Sequence, residues 1–262
     1  MTETRQQQPK QQPKQQPKQQ PHATAIFRRS LNTFLANDFP PGPKCLPMYY
    51  IINFQKGGTL PFCLLLMYYF DNFSTQALFY TAAHGTYGLV WLLKHCFFRD
   101  ANWDAKQTIL GCCNSFLLVL GPYWLNPYLL ISKTATAATP TKCAVACGIS
   151  ILGMVIMCAS DAQKHFTLRI KKGLITTGLF ALCRHPNYLG EMMIYGGFAM
   201  MVEHWIGWAV LAFVWVQLFH TNILYKEASM SRYSAWPEYT SRTGMILPWL
   251  PELLCPSTKK MD

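Results

Sequence analysis

KKGLITTGLFALCRHPNYLGE, residues 171–191, joins a basic approach to an apolar run, and its reading decides the fold. Gly173 and Gly178 suit turns, and Arg184-His185-Pro186-Asn187-Tyr188 leads directly towards MMIYGGFAMM. Proline lacks an N–H that the first turn of a helix does not use, so a helix is expected to begin at Pro186. Asn187 and Glu191 are then four residues apart and Tyr188 and Glu191 three, which gathers amide, phenol and carboxylate on one side of the first turn. The continuation is apolar enough to enter a bilayer, where a carboxylate is costly to desolvate and marks function. The plainer reading makes Glu191 and Asn187 a cap or a partner for a neighbouring loop.

The rest of the chain agrees with a membrane setting. Of its 262 residues 51% are hydrophobic and only 13% are charged, with a net charge of +11. An ordinary soluble domain of this length carries more charge, and here the apolar residues come in long blocks. The expected fold is all-α, a polytopic transmembrane helical bundle with a loop and a short C-terminal helix for a cofactor. Six spans are expected, at 48–70, 75–91, 108–131, 143–160, 188–202 and 205–224. The first has its clearest apolar core only over Leu60 to Phe70, so five spans with a re-entrant first segment is the alternative. Pro122 and Pro127 are expected to bend the third, and the last two form a hairpin through Glu203-His204.

Charge placement tests that count. With six spans, the connections at 94–107 (Lys94, Arg99, Lys106) and 161–187 (Lys164, Arg169, Lys171, Lys172, Arg184) share one side with both tails. The connections around Asp71 to Ser74, Lys133 to Thr141 and Glu203-His204 lie opposite and are nearly uncharged. The positive-inside rule makes the basic side, and both termini, cytosolic.

Five segments follow from composition. Residues 1–22 repeat QQPK and cannot bury enough apolar surface to offset ordering, so they are expected to be a disordered tail. They lack the apolar core of a secretory signal. Residues 23–47 are an interfacial linker, in which ATAIFRRSLNTFLA is short, basic and partly amphipathic. Amino-terminal spans occupy 48–140, a core domain with the cofactor site 141–255, and a tail 256–262. A mitochondrial presequence is the less favoured reading of the start, since such signals begin at the terminus.

Topology alone accounts for most of the lysines and arginines on the basic side. It does not ask for Asp161, followed by Gln163, Lys164 and Arg169, near the RHPNY turn. Guanidinium and ammonium donors beside a helix start suit a phosphate-bearing ligand. Further on, Tyr233, Trp236, Tyr239 and Arg242 recur every three residues, a spacing that can sandwich an adenine or nicotinamide ring or equally anchor a helix at the interface. His84 and Tyr87, three apart within the second span, are either paired in the bundle or part of a site. The 10 cysteines form no CxxC pair and read as small buried hydrophobes, so no metal site is expected. HExxH, GxSxG and Walker-type loops are absent, which leaves metalloprotease, serine hydrolase and P-loop chemistry without support.

SDAQKHFTLR, KKGLITTGLFALCRHPNYLGE and SRYSAWPEYTSRTGMILPWLP together resemble the membrane superfamily of steroid 5-alpha-reductases, sterol reductases, isoprenylcysteine methyltransferases and phospholipid methyltransferases. The resemblance is strongest to the branch named for a steroid 5-alpha-reductase-like C-terminal domain. It covers residues 157–251 well, 75–105 weakly and the first 45 not at all. As a family signal the RHPNYLGE and EYxxRTGxxLPW patterns are specific, whereas for one reaction they are not.

Reductases of that superfamily tend to show an asparagine after the turn and an acid four residues later, as Asn187 and Glu191 do here. The resemblance therefore implies an NADPH-dependent reductase in the endoplasmic reticulum, acting on a conjugated C=C bond of a steroid-like or other lipid. It implies a cofactor site of Asp161, Lys164, Arg169, Arg184, His185, Asn187, Tyr188, Tyr239 and Arg242, with Glu191 orienting the nicotinamide. Tyr87 or His84 is the expected proton donor, in spans where the chain departs most from the steroid enzymes. S-adenosylmethionine, with no phosphate and a sulfonium cation, suits a basic pocket less well, and methyl transfer to a lipid or prenyl-cysteine is the alternative. A non-catalytic membrane subunit is the second. The expected partners are membrane lipids and a hydrophobic small molecule, with no nucleic acid.

Overall fold

Backbone polar groups in hydrocarbon must be satisfied within their own segment, so long apolar runs become helices. The computed structural model, which describes residues 17–248, is accordingly almost all helical. Its main rods are α1 (Ala23–Thr33), α2 (Met48–Tyr69), α3 (Thr75–Phe98), α4 (Ile109–Ile131), α5 (Pro140–Ile170), α6 (Pro186–Met200), α7 (Trp205–Met230) and the short α8 (Trp236–Arg242). Three of them, α4, α5 and α7, are long and apolar enough to cross a membrane.

Several boundaries differ from those read off the chain. α2 continues through Pro61 to a full 22 residues, because a single proline costs one ladder bond while the flanking turns stay paired. α5 runs to Ile170, so Asp161, Lys164 and Arg169 stand on a helix and not in a connecting loop. α6 has 15 residues, about 22 Å at 1.5 Å per residue, which is short of a bilayer's hydrocarbon thickness. α8 begins at Trp236, which leaves Tyr233 before it. In α4 the expected bend is a π-helical turn at Phe116–Leu120 and a 3₁₀ turn at Gly121–Trp124 around Pro122.

The terminal segments read from composition lie largely outside the described residues, namely 1–16 of the expected tail and all of 249–262. Residues 17–22 are described, and part of them is held: the Gln19 N–H donates to Ser231 Oγ at 2.9 Å, and His22 caps α1.

Rods α2 to α7 alternate in direction. At one end β1 (Leu46–Pro47) pairs with β2 (Lys106–Gln107), and Lys164 reaches Asp100. At the other, β3 (Thr136–Ala137) pairs with β4 (Val202–Glu203), Asn72 donates to the Ile131 carbonyl at 2.7 Å, and Lys142 pairs with Glu203. The basic connections thus share one end and the sparsely charged ones the other. α1 lies along α7, where a π-helical turn at Trp215–His220 frees backbone carbonyls. Arg28 donates to the Val216 carbonyl at 2.7 Å and Asn32 to that of Gln217 at 3.1 Å.

Apolar side chains on the outer faces, such as Leu65, Leu117 and Val155, are exposed, as a lipid-facing surface requires. Inside, Tyr80, Tyr87, Met157, Ile194 and Phe198 form the core. The closest helix pair is α5 with α6. Ala146, Ser150 and Gly153 on one face Gly190 and Gly197 on the other, and Ser150 Oγ donates to the Ile194 carbonyl at 3.2 Å. Small residues at this spacing let two backbones approach, as is usual between membrane helices.

Candidate functional site

That close packing sets Gly190, the neighbour of Glu191, against Gly153 and Met157 of α5. Asp161 forms an ion pair with Lys94 of α3, both largely buried. Glu191 is half-buried and close enough to Lys94, Lys56, Asp161 and Lys226 for their charges to act on it. Nearer the basic end, Lys164 donates to Asp100 at 3.0 Å, and Lys226 of α7 donates to the Tyr188 phenol at 3.2 Å. Burial raises the Asp100 carboxyl, but the Lys164 ammonium and the Asn102 N–H outweigh it and hold it below the usual range.

Deeper in the bundle lies an aromatic chamber around one lysine. Lys56 of α2 is 5% exposed and donates to the Tyr195 phenol oxygen of α6. Its Nζ sits 4.7 Å from the Tyr195 ring centre, 4.8 Å from Tyr87, 5.3 Å from Trp91 and 5.5 Å from Tyr123. Next to it, His84 Nδ1 is hydrogen-bonded to the Tyr80 hydroxyl at 3.1 Å and its ring stacks on Phe198 at 4.4 Å. His84 Nε2 and the Tyr87 hydroxyl are buried with no hydrogen-bond partner among the described residues. Buried polar atoms are nearly always paired, so these two are exceptions.

Other residues singled out in the sequence are hydrogen-bonded around Glu227 and the segment after α8. Arg184 Nε donates to both carboxylate oxygens of Glu227, at 3.0 and 3.1 Å, and its Nη1 donates to the Thr243 carbonyl. His185 Nε2 meets the same Glu227 at 2.8 Å, and the Tyr239 hydroxyl donates to the Phe180 carbonyl at 2.7 Å. Backbone bonds from Arg184 to Gly244 and from His185 to Met245 complete a latch between the RHPNY turn and the segment after α8. Within it, burial lowers the His185 pKa more than the Glu227 bond raises it, and burial pushes the Cys183 thiol up to about 11. Burial also raises the Tyr239 phenol.

Arg169 lines a cleft of about 480 Å³ at the basic end, together with His95, Arg99, Asp104 and His165. Asn187 is half-buried on the first turn of α6, and Arg242 is exposed at the end of α8. The fold therefore pairs Asp161 with Lys94, Lys164 with Asp100 and Tyr188 with Lys226, sets Tyr87 and His84 deeper, and ties Arg184, His185 and Tyr239 into the latch.

Lys56, Lys94, Tyr195, Lys226 and Glu227 were not among the residues expected at the site. Lys56 stands in QKGG, which reads as an interruption of an apolar run, and Lys94 reads as a topology charge. A lysine within a helix of mostly apolar residues is itself the signal that would have found the first.

The sequence profile of a family described as "Protein of unknown function (DUF1295)" matches residues 118–243. The matched region holds Asp161, Lys164, Arg184, Glu191, Tyr195 and Tyr239, but not Lys56, His84, Tyr87 or Lys94. Two curated proteins of Schizosaccharomyces pombe (strain 972), both described as uncharacterized, are similar over shorter stretches. One is 34% identical over 74 residues, 27% of this chain and 26% of the relative. The other is 30% identical over 93 residues, 33% of this chain and 27% of the relative. The chain thus spans about a quarter of the length of these relatives.

Proposed function

We propose that the protein is an integral-membrane oxidoreductase that uses NADPH to reduce a conjugated C=C bond in a steroid-like or other lipid. The family match over residues 118–243 supports a membrane protein of the steroid-reductase-like type. The gathering of the basic connections at one end agrees with that end facing the cytosol, and the proposed location is the endoplasmic reticulum.

The observation that supports the reaction is the set of charged and phenolic groups buried in the bundle, the Lys94–Asp161 pair and Lys56 with Tyr195 and Tyr87, below a basic cleft lined by Arg99, Arg169 and His165. The cleft at the basic end is lined by Arg99, Arg169 and His165, donors suited to phosphate oxygens, with Asp104 paired to Arg99. Those groups fit NADPH. Arg169 and Lys164 would hold its phosphates, and Asp161, Asn187 and Glu191 its hydroxyl and amide groups. When bound, NADPH supplies a hydride. The chain's own part is to exclude water, orient the ring at Glu191 and protonate the oxygen on which charge develops. Tyr87 and His84 are the candidate donors, since each has a buried polar atom without a partner. Arg184, tied to Glu227, shapes this site from outside it.

Methyl transfer is the runner-up. Lys94 and Lys226 stand near the site, and ammonium groups disfavour a sulfonium ligand. The deciding experiment titrates NADPH and S-adenosylmethionine separately into detergent-purified full-length protein, and repeats both with Arg169→Ala and Glu191→Gln. Saturable NADPH binding weakened by Arg169→Ala is expected. Binding of S-adenosylmethionine alone would replace the reductase reading with methyl transfer, and binding of neither would leave a non-catalytic membrane subunit.

A further inference from the structure

We propose that Lys56 is a carbonyl-capturing lysine, which forms a reversible imine with a lipid aldehyde or ketone in the aromatic chamber. Four observations point to it. Lys56 is 5% exposed, deep among apolar helices. The group it bonds is a phenol, that of Tyr195, and no carboxylate lies within ion-pair distance of it among the described residues. Four aromatic rings enclose its amine. Two buried polar atoms of the same chamber, His84 Nε2 and the Tyr87 hydroxyl, stand without partners.

A lysine desolvated in an apolar pocket is the side chain that condenses with carbonyls. Here Nζ forms a bond to the carbonyl carbon while the C=O π electrons move to oxygen. Tyr195 can give that oxygen a proton and take one from the nitrogen. The hydroxyl of the resulting carbinolamine is protonated again and leaves as water. In sum one amine, one carbonyl and one proton give one protonated imine and one water, and hydrolysis reverses the step with nothing oxidised or reduced. The orphaned Tyr87 hydroxyl and His84 Nε2 are the groups available to the departing oxygen. The rings of Tyr123 and Tyr195, stacked 4.1 Å apart, both border Nζ.

The inference rests on the reductase reading only in taking the carbonyl to be conjugated to the reducible bond. A protonated imine withdraws electrons from such a bond, so capture and reduction would serve one substrate class, α,β-unsaturated lipid carbonyls.

The test uses all-trans-retinal, whose protonated imine absorbs to the red of the free aldehyde. Full-length protein in detergent is mixed with retinal, scanned, treated with borohydride and mapped by peptide mass spectrometry. A red-shifted band that borohydride bleaches, with the adduct on Lys56, is expected. Lys56→Arg should lose both, and the exposed-lysine control Lys142→Arg should keep them. No band, or adducts spread over surface lysines with Lys56 unmodified, overturns the proposal, and mapping the wild-type protein decides this even if Lys56→Arg does not fold. NADPH titrated in parallel separates the two readings. Lys56 adducts without NADPH binding would leave the capture site standing and remove the reductase, and NADPH binding without Lys56 adducts would do the reverse.

Discussion

Gly153 and Gly190 face each other across α5 and α6 so closely that a Cβ on either would lie 2.6 Å from the other's carbonyl oxygen. This contact fixes how α6, which carries Glu191, sits against α5, which carries Asp161.

Gly190→Ala should therefore destabilise the protein by about 1–3 kcal/mol, since neither backbone can move away without opening the pair. Gly148→Ala, on the same α5 but with nothing within 4 Å of the added carbon, should be neutral or slightly stabilising. Thermal melts of the two variants in one detergent check the contrast, and equal melting would show that the helices are not packed this closely.

Asp161 and Lys94 are largely buried partners, with side chains 13% and 8% exposed. Asp161→Ala strands an ammonium inside the bundle and should cost about 3–5 kcal/mol, whereas Lys94→Leu combined with Asp161→Leu should recover most of that stability. A double-mutant cycle measures the difference. Cofactor binding should be lost in both variants, because the apolar pair restores folding but not the charge pattern around Glu191.

The latch predicts a local effect. Glu227→Ala removes the acceptor of Arg184 and His185. Amide exchange should then quicken in residues 178–187 and 243–245 and remain slow at the α5–α6 contact. Uniform change across the chain would mean that Glu227 supports the whole fold.

His185 gives that latch a pH dependence. Its folded pKa lies below the ordinary 6.5 because burial outweighs the Glu227 bond, with Lys226 and Arg184 lowering it further. The unfolded chain then binds the proton more readily, so stability rises with pH between the folded value and 6.5. The contribution is complete above about 6.5 and falls away as the pH drops through that window. Melting temperatures measured from pH 8 down to 5 should decline for the wild type, and His185→Gln should flatten that part of the profile.

Arg28 ties α1 to the π-helical turn of α7 through the Val216 carbonyl. Arg28→Ala should loosen α1 by about 1 kcal/mol. Faster exchange confined to residues 23–33 would verify it, and unchanged exchange would show that apolar contact alone holds the helix.

Much of the architecture was legible because bilayer physics acts on composition and on sequence order. Apolar runs must be helical, Pro186 suits a helix start, and loop charge predicts which connections share an end. Two-residue strand pairs join 46–47 to 106–107 and 136–137 to 202–203. Helix ends were less legible: α5 passes straight through Asp161 and Lys164, since a polar face costs a helix nothing once it leaves the hydrocarbon.

Sequence by itself determined the helical class, the basic and neutral ends, and the clustering of Asn187, Tyr188 and Glu191 on one turn, because each follows from local chemistry and helical period. Tertiary structure alone decided that Arg184 is bound by Glu227, that Lys94 partners Asp161, and that Lys56 stands in a chamber of four rings. Those pairs lie 43, 67 and, for Lys56 with Tyr195, 139 residues apart in the chain. No periodicity reaches across such separations. Only the packing of one helix on another, fixed here by two glycines, selects which charges meet.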